Sequence, residues 1–194
     1  MKKRSTEFRV GPAGWSYRDW DGIVYPQPAG KDFGRLNYLA RYFDVIEVNV
    51  TFYRFILPRY SRRWMEEVAE NKRFRFTVKL YNKITHERGE IGGDEEKRWI
   101  AGIEPLAEEG RLGAVLAQFP YSFHNTRDNR KYLIDLTKRL PPFPLVIEVR
   151  HRSWDKDEVF DFLADNGLGF CNIDQPRVSY SIEPTARTTS PVGY

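Results

Sequence analysis

Cysteine is almost missing: Cys171 stands alone in 194 residues, so neither an internal disulfide nor a multi-cysteine metal site can form within the chain. A reducing compartment fits that composition, and a cytoplasmic location is the expectation. Methionine is nearly as scarce, with 2 residues, and this scarcity beside 30% charged residues would also suit a thermophile. No apolar run is long enough for a signal peptide or a membrane span, so no membrane partner is expected. No G-x-G-x-x-G opens a helix. The nearest stretch, Gly11-Pro12-Ala13-Gly14-Trp15, has the wrong spacing and puts a proline in the turn that would hold phosphate. No H-E-x-x-H occurs either, and histidine is limited to His86, His124 and His151. Charge of one sign is not strongly favoured: 31 Lys+Arg against 27 Asp+Glu leave a formal +4. Much of that excess sits in Lys2-Lys3-Arg4 and between Arg59 and Arg63, which is only a weak pointer to polyanions.

What is present is a globular balance, with 41% hydrophobic residues and six apolar stretches separated by helical patterns. The stretches are Phe8–Gly14, Val45–Arg54 (with Phe52-Tyr53-Arg54 on the loop above the strand), Phe74–Leu80, Gly113–Phe119, Leu145–Arg150 and Gly169–Asp174. Between them, helices are predicted from Asp32 through Tyr42, from Pro58, from about Asp94 to Glu109, from an Asn125 or Thr126 cap to Arg139, and over about Lys156–Asn166. Pro105 should kink its helix or end it early, and Gly167 suits a C-cap. Strand and helix repeating at about 30 residues reads as βαβ units with parallel strands. An open doubly wound sheet and a (β/α)8 barrel both follow from that pattern. The expectation is one α/β domain over residues 1–194, with residues 1–6 and about 176–194 poorly structured.

The strands carry polar residues where a core strand should not. Glu47 and Asn49 lie two apart, so on a strand they share a side; the same holds for Thr77 with Lys79 and for Glu148 with Arg150. Gln118 and Asp174 add to the set, always near a strand's C-terminal end. Polar residues at that end of many strands favour the barrel, whose C-terminal face carries its active sites. The candidate catalytic residues are therefore Glu47, Glu148, Lys79 and Asp174, with Asn49, Gln118, Arg150 and His151 as binding groups. Trp15, Tyr17 and Tyr53 with Arg54 fall just after strands and could stack on a sugar or base. Ion pairs near a barrel axis also serve purely structural ends, and aromatics also simply close a barrel mouth. A divalent metal would require Glu47, Glu148 and Asp174 together, with or without His151: Mg or Mn on oxygen ligands, Zn if the histidine joins. Cys171 reads as an inert core residue.

Together these residues resemble the YecE-like family, the domain of unknown function 72. The matching pieces are Gly14-Trp15-Ser16-Tyr17 with Trp20 and Tyr25-Pro26, Glu47 to Arg54, Phe76-Thr77-Val78-Lys79 and Ile84-Thr85-His86. They continue with Gln118-Phe119-Pro120, Glu148-Val149-Arg150-His151 with Ser153-Trp154, and Asp174-Gln175-Pro176. The resemblance implies a TIM-type barrel and names no reaction. Such proteins continue past a sixth strand into a His-Gly motif and a last βα unit, whereas this sequence stops at Tyr194; an incomplete, open barrel of about six strands is the expectation. The reading that follows is a mixed-charge pocket binding or hydrolysing a small polar or phosphorylated ligand. If an enzyme, it would be a hydrolase or isomerase acting on a sugar phosphate or phosphoester. The competing reading is a non-catalytic nucleic-acid or protein-binding module using Arg54, Arg59, Arg62 and Arg63.

Overall fold

The computed structural model describes residues 6–27, 30, 32–88, 93–176 and 178–194. Lys2-Lys3-Arg4, most of the N-terminal stretch expected to be loose, and Pro28 lie outside the described residues. The fold is α/β, built on a 5-stranded parallel sheet in the order β1-β2-β3-β4-β5. The strands are β1 (Val45–Val48), β2 (Arg75–Lys79), β3 (Leu112–Gln118), β4 (Leu145–Glu148) and β5 (Gly169–Phe170). The helices are α1 (Arg35–Leu39), α2 (Val50–Tyr53), α3 (Pro58–Glu67), α4 (Gly93–Glu108), α5 (Arg127–Arg139) and α6 (Asp157–Asp165). No described helix is long and apolar enough to cross a membrane.

Five strands replace the six expected. Phe8–Gly14 does run beside β1, but it keeps only one bridge, Ala13 to Glu47. The pairing slips by a residue: Asp44 donates to the Val10 carbonyl, and Glu47 next donates to that of Pro12. Backbone crowding at Gly11 accompanies the slip, since a Cβ there would sit 1.7 Å from the Val45 oxygen. β5 also stops short of Asp174, because beyond Cys171 the backbone turns to the tail, where Asn172 donates to the Tyr194 carbonyl.

Local chemistry sets three of the helix ends. Pro58 occupies the first turn of α3, Thr126 Oγ1 accepts from Asn129 N to cap α5, and Gly167 takes φ +68 just beyond α6. Pro105 does not end α4: it is buried, the helix runs on to Glu108, and Glu109 N still reaches the Pro105 carbonyl. Packing on the sheet offsets the one missing bond. The polar loop expected after β2 contains a π-helical turn, Lys83–Glu87, whose Ile84 and Thr85 are buried and whose Ile84 carbonyl accepts from Tyr132 Oη at 2.5 Å.

Each strand buries both faces, as parallel strands under helices must. On β3 the alternation is explicit: Val115, Ala117 and Phe119 join the large core that includes Trp99, Ile103 and Leu106 of α4 and Leu133 and Leu136 of α5. Ala114 and Leu116 point the other way, into a small cluster with Val146 and Cys171. Val192 packs against that cluster, so the tail covers part of the inner face. The described tail after residue 176 forms no helix or strand and is largely exposed, yet it is anchored at points: Ile182, Ser181 and Thr189 are buried, and Thr189 Oγ1 donates to Leu168 O at 2.6 Å.

The tightest helix contact is between α4 and the segment entering α3. A Cβ on Gly102 would lie 2.5 Å from Ile56 O, and the Gly102 carbonyl already accepts from Ser61 Oγ at 2.5 Å. Ala favours a helix over Gly by about 1 kcal/mol, whereas overpacking costs about 1–3 kcal/mol. The clash is with backbone, so it wins. Gly102→Ala should lower stability in urea unfolding by about 1–2 kcal/mol, and an unchanged or higher midpoint would refute the close approach.

Candidate functional site

The C-terminal ends of four adjacent strands meet at one cavity of about 360 Å³, lined by Glu47, Lys79, Gln118, Glu148, Arg150 and Asp174 among others. Register brings them together. Glu47 stands beside Thr77, Lys79 beside Leu116 and Gln118 beside Glu148, so side chains two residues apart on neighbouring strands aim the same way.

A continuous polar chain crosses the cavity. Lys79 Nζ lies 3.5 Å from Glu47 Oε1 and donates at 3.4 Å to Gln118 Oε1. Gln118 Nε2 donates at 2.6 Å to Glu148 Oε1. The same oxygen receives Arg150 Nε at 3.0 Å, with Nη2 at 2.9 Å. On the far side Tyr194 Oη donates to Glu47 Oε2 at 2.5 Å and lies 3.1 Å from Thr77 Oγ1. Burial and the nearby Glu47 charge push the Tyr194 phenol far above its ordinary pKa, so it stays a proton donor. Two hydrogen bonds and the Nη2 ion-pair contact thus hold Glu148 Oε1, whereas no donor among the described residues reaches Oε2. A carboxylate with one oxygen fixed and one open is oriented to accept a proton or a hydrogen bond.

Asp174 lines the cavity from an exposed position past β5 instead of from a strand. The other binding residues named from sequence lie elsewhere. Asn49 does not share a side with Glu47, because β1 ends at Val48 and Asn49 precedes α2 in helical geometry; its buried Oδ1 has no hydrogen-bond partner. Trp15 packs edge-on against Trp64, and Tyr17 folds onto Trp20 while donating to Ala13 O. Tyr53 and Arg54 are exposed at the end of α2. His151 stacks on His124 at 4.0 Å and bonds Ser153, away from the cavity lining. The metal set is therefore not assembled: Lys79 stands beside Glu47, and no group of three His, Cys, Asp or Glu among the described residues is placed to hold a metal ion. Arg59 and Arg62 are exposed on α3, and Arg63 pairs with Glu67.

The site also contains residues that patterning does not reveal. Tyr194, Asn172 and Gln175 line it, and Tyr121 donates to Gln175 Oε1 at 3.0 Å while its ring lies 5.9 Å from the Arg150 guanidinium. All except Tyr121 come from beyond β5: Asn172 falls within the predicted sixth strand, and Gln175 and Tyr194 lie in the tail, where no periodicity marks an element. Cys171 lines the floor, and burial raises its thiol pKa well above the ordinary value, consistent with an inert core residue. His86, on the π-helical turn, is close enough to feel Arg150 and Lys79, although burial is the larger cause of its lowered pKa.

His151 is lowered too, first by burial, then by His124 and Arg152. Both imidazoles are thus harder to protonate folded than unfolded, where 6.5 applies. The unfolded chain binds protons first on acidification, so stability present above pH 6.5 should be lost as pH falls through the lower folded values. Urea midpoints should drop between pH 7.5 and 5.5, and the His86→Gln/His151→Gln variant should show a shallower drop. Equal slopes would refute the assignment.

A family model described as a protein of unknown function, DUF72, matches residues 9–194. UPF0759 protein YunF of Bacillus subtilis (strain 168) is 28% identical over 185 residues, covering 91% of this chain. The chain spans 64% of that curated relative's length. The crystal structure of a DUF72 family protein from Thermotoga maritima aligns with a TM-score of 0.77 at 33% identity, over 94% of this chain and 70% of that one. A DUF72 family protein from Enterococcus faecalis, 24% identical with a TM-score of 0.75 over 83% of this chain and 62% of that one, shares the fold. The protein belongs to the DUF72 family.

Proposed function

We propose that the cavity at the ends of β1 to β4 binds a small polar ligand carrying an anionic group, of the sugar-phosphate or nucleotide-fragment kind, and that Glu148 is its proton acceptor. The observation that carries this reading is the open Oε2 of a carboxylate whose other oxygen is fixed by Gln118 and Arg150. Arg150 and Lys79 flank it as anchors for the anionic group, and Gln118 bridges Lys79 to Glu148. Glu47, tied to Lys79 and Tyr194, serves as the second acid–base group, and Asp174 orients the ligand at the rim. At about 360 Å³ the cavity is at the small end of ligand sites, which favours a metabolite-sized occupant. The reaction class that suits a fixed carboxylate beside two cations is hydrolysis or isomerisation of a phosphorylated substrate.

The sequential, all-parallel strand order with helices on its outer face supports a finer reading of the fold as the wall of a TIM-type barrel, with the site at the C-terminal face usual for such barrels. The inner-face cluster of Ala114, Leu116, Val146 and Cys171 then corresponds to the barrel interior.

Titrating inorganic phosphate and ribose 5-phosphate into isotope-labelled protein should move the amides around Gln118, Glu148 to Arg150 and Asn172 to Gln175. Arg150→Ala should weaken ribose 5-phosphate about 10- to 100-fold, the size expected for a hydrogen bond to a charged group. Glu148→Gln should keep the fold while abolishing turnover of whichever phosphoester a substrate screen identifies. Folded variants that bind as the parent does would leave the ion network a purely structural device.

A further inference from the structure

At the opposite end of the sheet, five cations gather around one tight turn. Arg75 opens β2, Arg111 immediately precedes β3, and Arg9 approaches beside β1; all three converge on the backbone of residues 71–74. Arg75 Nη1 donates to the carbonyls of Lys72, Arg73 and Phe74 at 3.3, 3.2 and 3.0 Å. Arg111 Nη1 donates to those of Asn71, Lys72 and Phe74 at 2.9, 3.1 and 3.1 Å. The two guanidiniums therefore share the Lys72 and Phe74 oxygens. Arg9 joins them by donating to the Arg73 carbonyl. Lys72 and Arg73 complete the group.

The charge is not balanced. Glu7 pairs with Arg9 and Arg73, and Asp44 lies 3.5 Å from Arg73. Arg75 and Arg111 have no carboxylate partner among the described residues, although both are half-buried. Their spent donors are also one-sided. Among the described residues, every side-chain hydrogen bond of either residue leaves through Nη1, and none uses the Nε–Nη2 edge. That edge is the fork which grips two oxygens of one oxyanion. Carbonyl dipoles pin the two forks in place, so little side-chain freedom would be lost on binding. Burial first, then the neighbouring Arg9 and Arg111, lowers the Arg75 pKa, with Glu7 opposing them.

We propose that Arg75 and Arg111, with Arg9 beside them, form a phosphate-group binding site at the N-terminal end of the sheet, separate from the cavity at the C-terminal ends. A tetrahedral dianion answers two forks and an excess of several positive charges better than a single carboxylate does. The site requires nothing of the cavity residues and stands independently of their function.

The test is titration of the whole chain with sodium phosphate at low salt, against sodium chloride at equal ionic strength, read from backbone amide shifts. Amides of Asn71 to Arg75 and of Arg111 should move with phosphate and not with chloride. Arg75→Met should weaken that binding at least about tenfold, and Arg75→Lys, which keeps the charge and loses the fork, should fall between. Arg150→Ala should leave it unchanged, which separates this site from the cavity. A free phosphate and a nucleic-acid backbone present the same group. A single-stranded oligothymidylate that binds far more tightly than phosphate, with a steep salt dependence, assigns the backbone; comparable affinities assign the free ion. Absence of shifts at these amides in the parent protein, or undiminished affinity in folded Arg75→Met or Arg75→Lys, would overturn the proposal.

Discussion

A buried carboxylate on a parallel sheet must be answered, and two of them, Glu47 and Glu148, are buried near the C-terminal ends of β1 and β4. Leaving either unpaired would cost several kcal/mol, so the intervening strands carry the answer. Lys79 on β2 and Gln118 on β3 span the gap, and Arg150 closes it from beyond β4. The chain of contacts works only if all four strands hold their register. A one-residue slip would turn Glu47 or Lys79 into the apolar helix-facing core. The polar chain and the sheet thus specify one another, which is why structural and functional readings of these residues are not exclusive.

Much of this was legible before any coordinates. The strands were visible as apolar runs, and the polar residues at their ends marked one rim, because a period of two leaves little freedom once the strands are parallel. Pro58, Thr126 and Gly167 acted as local chemistry predicts. Asn49 went astray for a non-local reason. Val48-Asn49-Val50-Thr51 is β-branched and strand-like, yet the chain turns helical after Val48. Thr51 Oγ1 bonds the carbonyls of Val48 and Lys79, and Trp99 Nε1 donates to Thr51 O. Two of those three contacts come from distant segments, and tertiary packing overrode propensity. Tyr194 could not be read at all, since nothing in a Ser-, Thr- and Pro-rich tail marks one phenol as the partner of a glutamate on β1.

The two ends of the sheet differ in electrostatic character. At the C-terminal ends each cation faces a carboxylate, and the result is a balanced network with one open oxygen. At the N-terminal ends Arg75 and Arg111 face peptide carbonyls, which orient guanidiniums without neutralising them. Carbonyl dipoles satisfy hydrogen-bond geometry and leave net charge in place. Both arrangements are locally well bonded, but only the second projects a positive field into solvent.

The strand order β1-β2-β3-β4-β5 also bears on how the molecule is made. Every strand pairs with the one just before it, so no element waits for a partner more than one βα unit away. A ribosome releasing this chain from its N-terminus can lay the wall down one unit at a time, each new strand docking on an edge already formed. Tyr194 departs from that order: its contacts with Glu47, across 147 residues, and with Thr77, across 117, can close only after all five strands have emerged. The floor of the cavity is therefore finished after its walls.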